Sequence, residues 1–220
     1  MNASQAYDKY IIKTEKNSVN DNIATDRGRF VIIYNEYQNR FIEYIYEKKN
    51  EDDFRYIQLL LEEVPITSST KQDNFYLFKL PKNYFEFSSV SAKGSKGNCS
   101  NQSIDLFEIK DLNRTVELSD EYTSPNFEYR EAPLILSSNN IKIFTTDFSI
   151  ERLNLSYYRY PKQLKLLNPK NPESPFDDSF QLDFDDKVID RIISATAGGF
   201  DQNNNSDRWQ VHNMNSKLEL

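Results

Sequence analysis

Apolar side chains at Phe30, Ile33, Tyr34, Tyr37, Phe41, Tyr44 and Ile45 recur at three- and four-residue intervals, which places them on one face of an α-helix. Thr25 and Asp26 are N-cap types ahead of this stripe, and Lys48 and Lys49 suit the negative end of the helix dipole. Asn50 is then placed to cap a second helix. Its first turn carries Glu51, Asp52 and Asp53, and one face carries Phe54, Ile57, Leu60 and Leu61. So short a break predicts an antiparallel helical hairpin or a sharp kink.

The pattern changes at Pro65. Short runs rich in β-branched and aromatic residues predict strands at Phe75–Lys79, Phe85–Ala92, Ser103–Ile109, Ile141–Phe144 and Leu153–Tyr160. The Lys-Gly-Ser-Lys-Gly-Asn run at 93–98 reads as the tip of a hairpin. The stretch between Pro125 and Pro133 has no clear period and reads as a loop or edge strand. Pro161, Pro169, Pro172 and Pro175 predict an extended return linker.

Helical spacing returns at Val188, Ile189, Ile192 and Ile193, behind Asp185 and Asp186 and ahead of Gly198 and Gly199 as a C-cap. Ser206 can cap a last short helix carrying Trp209 and Met214. The expected fold class is therefore α+β: a helical bundle, made of an N-terminal helical hairpin plus C-terminal helices, with a β-rich insertion. Residues 1–64 and 178–220 form the helical core on this reading, and residues 65–177 the insertion with its proline-rich return. The Phe30–Ile45 helix is expected to pack on the Val188–Ile193 helix.

Composition narrows the function. The net charge is −7 and the pI about 4.9, which argues against a general nucleic-acid surface. No apolar run approaches the roughly twenty residues of a membrane helix. The first residues, MNASQAYDKYIIKTEKN, read as polar throughout, against export. The chain holds 15 Phe and 14 Tyr but only 5 Gly, with a mean hydropathy of −0.74. A polar chain this rich in aromatics is expected to complete its burial against neighbours.

Candidate chemistry is sparse. His212 is the only histidine and Cys99 the only cysteine, so no disulfide or thiolate metal cluster can form within the chain, and His212 reads as a polar interface or surface residue. Glu51-Asp52-Asp53, Asp177-Asp178 and Asp183 with Asp185 and Asp186 could be read as acid pairs. They read better as complements to helix dipoles and as solvated charge. No phosphate-cradling glycine motif occurs. No catalytic, cofactor-binding or metal-binding residue is assigned, and no cofactor is expected.

The Tyr157-Tyr158-Arg159-Tyr160 cluster has the residue types of a base-stacking platform. Yet Leu153, Leu155 and Tyr157 alternate with Asn154, Ser156 and Tyr158, as in a half-buried strand that Pro161 ends. Its outer face is left to meet a protein. Interface candidates are Tyr158, Tyr160, Trp209, His212 and Met214.

Four stretches taken in order carry a resemblance: ATDRGRFVIIYNEYQNRFIEYIYEKKNEDDFRYIQLLL, FKLPKNYF, LNLSYYRYPKQLKL and FDDKVIDRIISATAGGF. Their order resembles the structural ring proteins of the head–tail connector in crAss-like, short-tailed bacteriophages of gut Bacteroidales. It is distantly similar to the adaptor or tail-tube-A proteins beneath the portal of other short-tailed phages. The resemblance implies a virion protein of the neck or tail, assembled in the host cytoplasm and without an active site. It implies a self-assembled ring, expected as a dodecamer, with the portal protein and other neck or tail rings as partners. Genomic DNA would pass through without specific binding, which an acidic chain favours, and no membrane is involved. Within this class the chain could instead be a later neck ring or tail-hub component. From other classes, a tail-associated cell-wall or capsule hydrolase and a single-strand nucleic-acid binder remain as alternatives.

Overall fold

A computed structural model describes residues 1–17, 27–48, 51–166, 176–177 and 179–202. The chain divides into two compact units, Met1–Leu60 with Tyr160–Leu220, and Leu61–Arg159.

The first unit contains α1 (Ala3–Asn17), α2 (Arg27–Lys48), the single turn α3 (Glu51–Phe54) and, late in the chain, α5 (Asp186–Gln202). Helix α1 starts in a reciprocal cap. The Gln5 N–H donates to Asn2 Oδ1 at 2.9 Å and the Asn2 N–H donates to Gln5 Oε1 at 3.1 Å. Ala3, Ala6, Tyr7, Tyr10 and Thr14 form its buried face. Tyr7, Tyr10, Phe30, Tyr34 and Phe176 make an aromatic core, with Tyr10 and Phe30 4.8 Å apart at the ring centroids. Helix α5 is capped by Asp185, whose Oδ1 accepts the Val188 N–H at 2.8 Å. It packs against both α1 and α2. On the α1 side, Lys9 Nζ pairs with Asp190 Oδ1 at 2.8 Å and Lys13 Nζ donates to Ser194 Oγ at 2.6 Å.

Between the chain's two helical stretches lies the second unit. Its strands are β1 (Leu61–Ile66), β2 (Ser69–Gln72), β3 (Phe75–Lys79), β4 (Tyr84–Lys96), β5 (Cys99–Glu108), β6 (Glu131–Ser137), β7 (Asn140–Phe144) and β8 (Ser149–Arg159). A short helix, α4 (Arg114–Ser119), lies in the crossover from β5 to β6. The hydrogen-bonded order is β1-β8-β4-β5-β6-β7-β3-β2. Every pairing is antiparallel except β5 with β6.

This topology forces the sheet to curl. β1 and β2 stand at opposite ends of the order, yet only Thr67 and Ser68 separate them in the chain. Three peptide steps reach at most about 11 Å, so the two ends of the sheet meet at that corner. Tracing strand directions through the order makes β1 and β2 run the same way, as two halves of one bent strand. The result is an open barrel filled by side chains. Phe78, Ala92, Ile104, Leu134, Ile143 and Leu155, from β3 to β8, share one core, and Val64 and Ile66 of β1 pack against it. A smaller cluster on the opposite face joins Ile109, Ile135 and Phe144 to Leu118 of α4.

The expected helical bundle with a β-rich insertion is therefore corrected. The largest single element is the curled eight-stranded mixed sheet of Leu61–Arg159, which is a unit of its own rather than an insertion in a bundle. The expected helical hairpin does not form, because its second helix stops after one turn. Ile57 and Leu60 are buried, but a turn and a 3-10 segment (Gln58–Leu60) carry them, and Leu61 already begins β1. Pro65 is the physical reason: it biases Val64 toward extended backbone and cannot sit inside a helix. On an edge strand its missing N–H is tolerated.

Other boundaries differ for local reasons. α5 runs through Gly198 and Gly199 to Gln202, so these glycines do not stop it. β4 extends through the expected hairpin tip, which narrows to Gly97 and Asn98 between the paired Lys96 and Cys99. Gly97 takes φ +56, a positive value that glycine reaches without a Cβ penalty.

The stretch between Pro125 and Pro133 is a loop up to Arg130, but its last residues open β6, an interior strand that runs on to Ser137. The Arg130 and Leu134 carbonyls accept from the Asp105 and Ile109 N–H groups, so Pro133 faces away from β5. Pairing with β7 begins only at Leu134, which leaves no ladder partner for a proline N–H to satisfy.

Candidate interaction surfaces

The strand β8 delivers the aromatic cluster singled out in the sequence. Leu153, Leu155 and Tyr157 point into the barrel, while Tyr158 is half-buried on the outer face opposite Leu61. Tyr160 follows the end of β8 and is exposed. Arg159 is buried, with Nε 2.8 Å from Glu62 Oε1. The geometry is that of an ion pair more than of an aligned hydrogen bond. The Tyr157 hydroxyl lies 2.9 Å from Glu62 Oε2, to which it donates, and 3.0 Å from Asn83 Oδ1. Tyr84 stacks on the Tyr157 ring at 5.8 Å. Burial, then the bond and charge of Glu62, push the Tyr157 phenol up to about 12. The guanidinium and one tyrosine of the would-be stacking platform are thus engaged inside the unit, leaving Tyr158 and Tyr160 on the outside.

Trp209, His212 and Met214 lie outside the described residues, as do Asn50 and Asp178. Cys99 is exposed at the start of β5. Three of the acidic candidates, Asp177, Asp183 and Asp185, hold backbone. Asp177 Oδ1 accepts from the Ser179 N–H and hydroxyl, which hold its carboxyl below the usual range. Asp183 Oδ2 accepts the Lys162 N–H at 2.6 Å, and Asp185 caps α5. Among the described residues no group of three or more His, Cys, Asp or Glu is placed to hold a metal ion. None of their helices is long and apolar enough to cross a membrane.

An open cleft of about 550 Å³ lies between the β3–β4 and β6–β7 turns, lined by Lys79, Leu80, Lys82, Tyr84 and Asn139 among others. Both lysines are exposed.

The most unusual surface is the β5–β6 crossover, which the sequence patterns did not single out. Helix α4 buries no residue, and Leu118 alone ties it to the outer cluster. Leu112 is 98% exposed, Val116 70%, Tyr122 87% and Tyr129 74%. Leu112 and Val116 are one helical turn apart, so they read in sequence like a core stripe, but nothing in the unit covers them.

These side chains are exposed by a tightly bonded backbone. The Asp120 N–H donates to the Val116 carbonyl at 3.1 Å, and Asp120 Oδ1 accepts the Tyr122 N–H at 2.8 Å. Thr123 Oγ1 donates to the Glu117 carbonyl, which fastens the Tyr122 turn to α4. Asn126 Oδ1 accepts the N–H groups of Glu128 and Tyr129, and Asn126 bridges Glu131. Phe127 turns inward to pack on Phe148, with the ring centroids 5.6 Å apart and the planes tilted by 48°. Arg130 is held at φ +60, a conformation a non-glycine residue adopts only under constraint. Tyr129 is therefore fixed outward between an inward anchor and a strained residue.

No protein-family model matches the chain, and no curated protein matches it in sequence.

Proposed function

We propose that this chain is a non-enzymatic structural protein of a short-tailed bacteriophage, a ring subunit of the head–tail connector. The observation that supports this most directly is the β5–β6 crossover, where hydrogen bonds and backbone strain hold four large apolar side chains in water. Such exposure has a thermodynamic cost that association removes, and pre-ordered backbone lowers the entropy lost on docking. The resemblance of the order of its sequence stretches to crAss-like connector rings supports a place in the virion neck or tail. Its partners would be copies of itself, the portal protein and neighbouring rings, with DNA passing through unbound.

Mass spectrometry of purified virions, followed by imaging of the neck, tests the reading. The expected result is the chain at a fixed copy number in a ring beneath the portal. Its absence from virions would overturn the proposal. The segment 203–220, with Trp209 and Met214, is proposed to reach a neighbour. Deleting it is expected to leave a folded subunit that fails to assemble.

A further inference from the structure

We propose that the β5–β6 crossover docks a different protein, whose contact face sets lysine or arginine around an apolar centre. The inference rests on the reading of the chain as a structural part and names the chemistry of one partner. The apolar half comes from Leu112, Val116, Tyr122 and Tyr129. The charge comes from Asp111, Glu117, Asp120, Glu121 and Glu128 on the same stretch, against which stand Lys110, Arg130 and Arg114, the last paired with Asp111 at 3.6 Å, so that acids outnumber bases five to three. An apolar centre with an acidic rim selects a basic rim on the other side.

That charge also excludes other occupants. A second copy docking through the same surface would bring its acids against these, and the whole chain carries −7. Nucleic acid and anionic lipid present phosphates, which this rim repels. A basic protein face is what complements both halves. The tyrosines fit the role, since aromatic side chains supply large contact area with few rotatable bonds.

The test uses the full chain and three synthetic helical peptides of equal length, followed by fluorescence anisotropy. One carries lysine with leucine at helical spacing, one lysine with serine, and one glutamate with leucine. The lysine–leucine peptide is expected to bind about tenfold tighter than either other peptide. In Leu112→Ser/Val116→Ser, which changes only exposed side chains, the lysine–leucine and lysine–serine peptides are expected to bind alike. Glu117→Gln/Glu121→Gln/Glu128→Gln should weaken lysine–leucine binding about fivefold or more, and flatten its salt dependence. The control Glu43→Gln/Glu47→Gln/Glu63→Gln removes the same charge elsewhere and should change it less than twofold.

Equal loss in the control, or no loss in the serine variant, would overturn the proposal, because binding would then be general charge attraction. Binding of phosphatidylserine vesicles through Leu112 and Val116 would overturn it as well. Presence in the virion neck separates the two readings. A chain found there whose crossover ignores the peptides loses only the partner chemistry, whereas a crossover that binds them in a chain absent from virions loses the connector role.

Discussion

Asn35 on α2 holds both backbone groups of Leu164. Its Nδ2 donates to the Leu164 carbonyl at 2.9 Å and its Oδ1 accepts the Leu164 N–H at 2.8 Å. One turn later Gln38 Nε2 donates to the Lys162 carbonyl at 3.2 Å. A helix side chain thus takes the place of a neighbouring strand for an extended segment, and it allows Leu164 to be buried without orphaning its amide groups.

Asn35→Ala should therefore destabilise the protein by about 2 kcal/mol, since it strands a donor and an acceptor at a part-buried site. Asn35→Asp should cost at least as much at neutral pH, because a carboxylate would face the Leu164 carbonyl. Urea unfolding measures both. A loss below about 0.5 kcal/mol in the alanine variant would mean that packing of Leu164 alone holds the segment.

Elements with one buried face were legible in the sequence. α2 and α5 show the helical period at Phe30–Ile45 and Val188–Ile193, and β3 and β7 fall within a residue of their expected bounds. β6 was hidden because Ala132 to Ile135 are buried on both faces, which erases the two-residue alternation, and because Pro133 argues against an interior strand. α1 was missed because its buried face is built of alanines, tyrosines and a threonine, although the Asn2–Gln5 capping pair was readable. Leu112 and Val116 could not be recognised as surface residues, because spacing specifies a face but not whether anything covers it. Tyr158 was legible as an outward position from the alternation along β8.

Tyr157 gives a pH dependence whose sign follows from its environment. Its phenol is raised from about 10 to about 12, by burial first and by Glu62 second. The unfolded chain therefore releases this proton before the folded one does. The stabilising effect is complete below pH 10 and is lost as pH rises from about 10 through about 12. Unfolding free energies measured across that window should fall more steeply for the native chain than for Tyr157→Phe. Parallel slopes would show that Tyr157 does not contribute.

The Glu62–Arg159 pair predicts an asymmetric double-mutant cycle. The Arg159 side chain is about 10% exposed and that of Glu62 about 39%. Glu62→Gln removes one charge partner of a nearly buried guanidinium and should cost about 2 kcal/mol, less than a fully buried pair because water reaches Glu62. Glu62→Gln/Arg159→Met also removes the desolvated guanidinium, replacing it with an apolar side chain, and should be more stable than Glu62→Gln alone. Chemical denaturation of the two variants decides it, and a double variant weaker than the single would refute the assignment.

Gly94 marks a place where the barrel wall admits no side chain. It sits at an irregularity of the β4–β8 ladder, next to Lys93. A Cβ there would stand 2.8 Å from the Ser149 carbonyl oxygen and 3.1 Å from Ile104 Cγ1. The first contact is with backbone, so relief requires β4 and β8 to move apart. Gly94→Ala should therefore cost about 1–3 kcal/mol, the range of overpacking in a well-filled core. Gly97 offers a contrast within the same hairpin. A Cβ at Gly97 would meet nothing within 4 Å, but φ is +56, so Gly97→Ala should cost about 1 kcal/mol from backbone strain alone. Asparagine tolerates that conformation better, so Gly97→Asn should recover part of the loss while Gly94→Asn should not. Thermal melting of the four variants separates a steric limit from a conformational one. Equal recovery by asparagine at both sites would show that the close approach to Ser149 is not what keeps glycine at position 94.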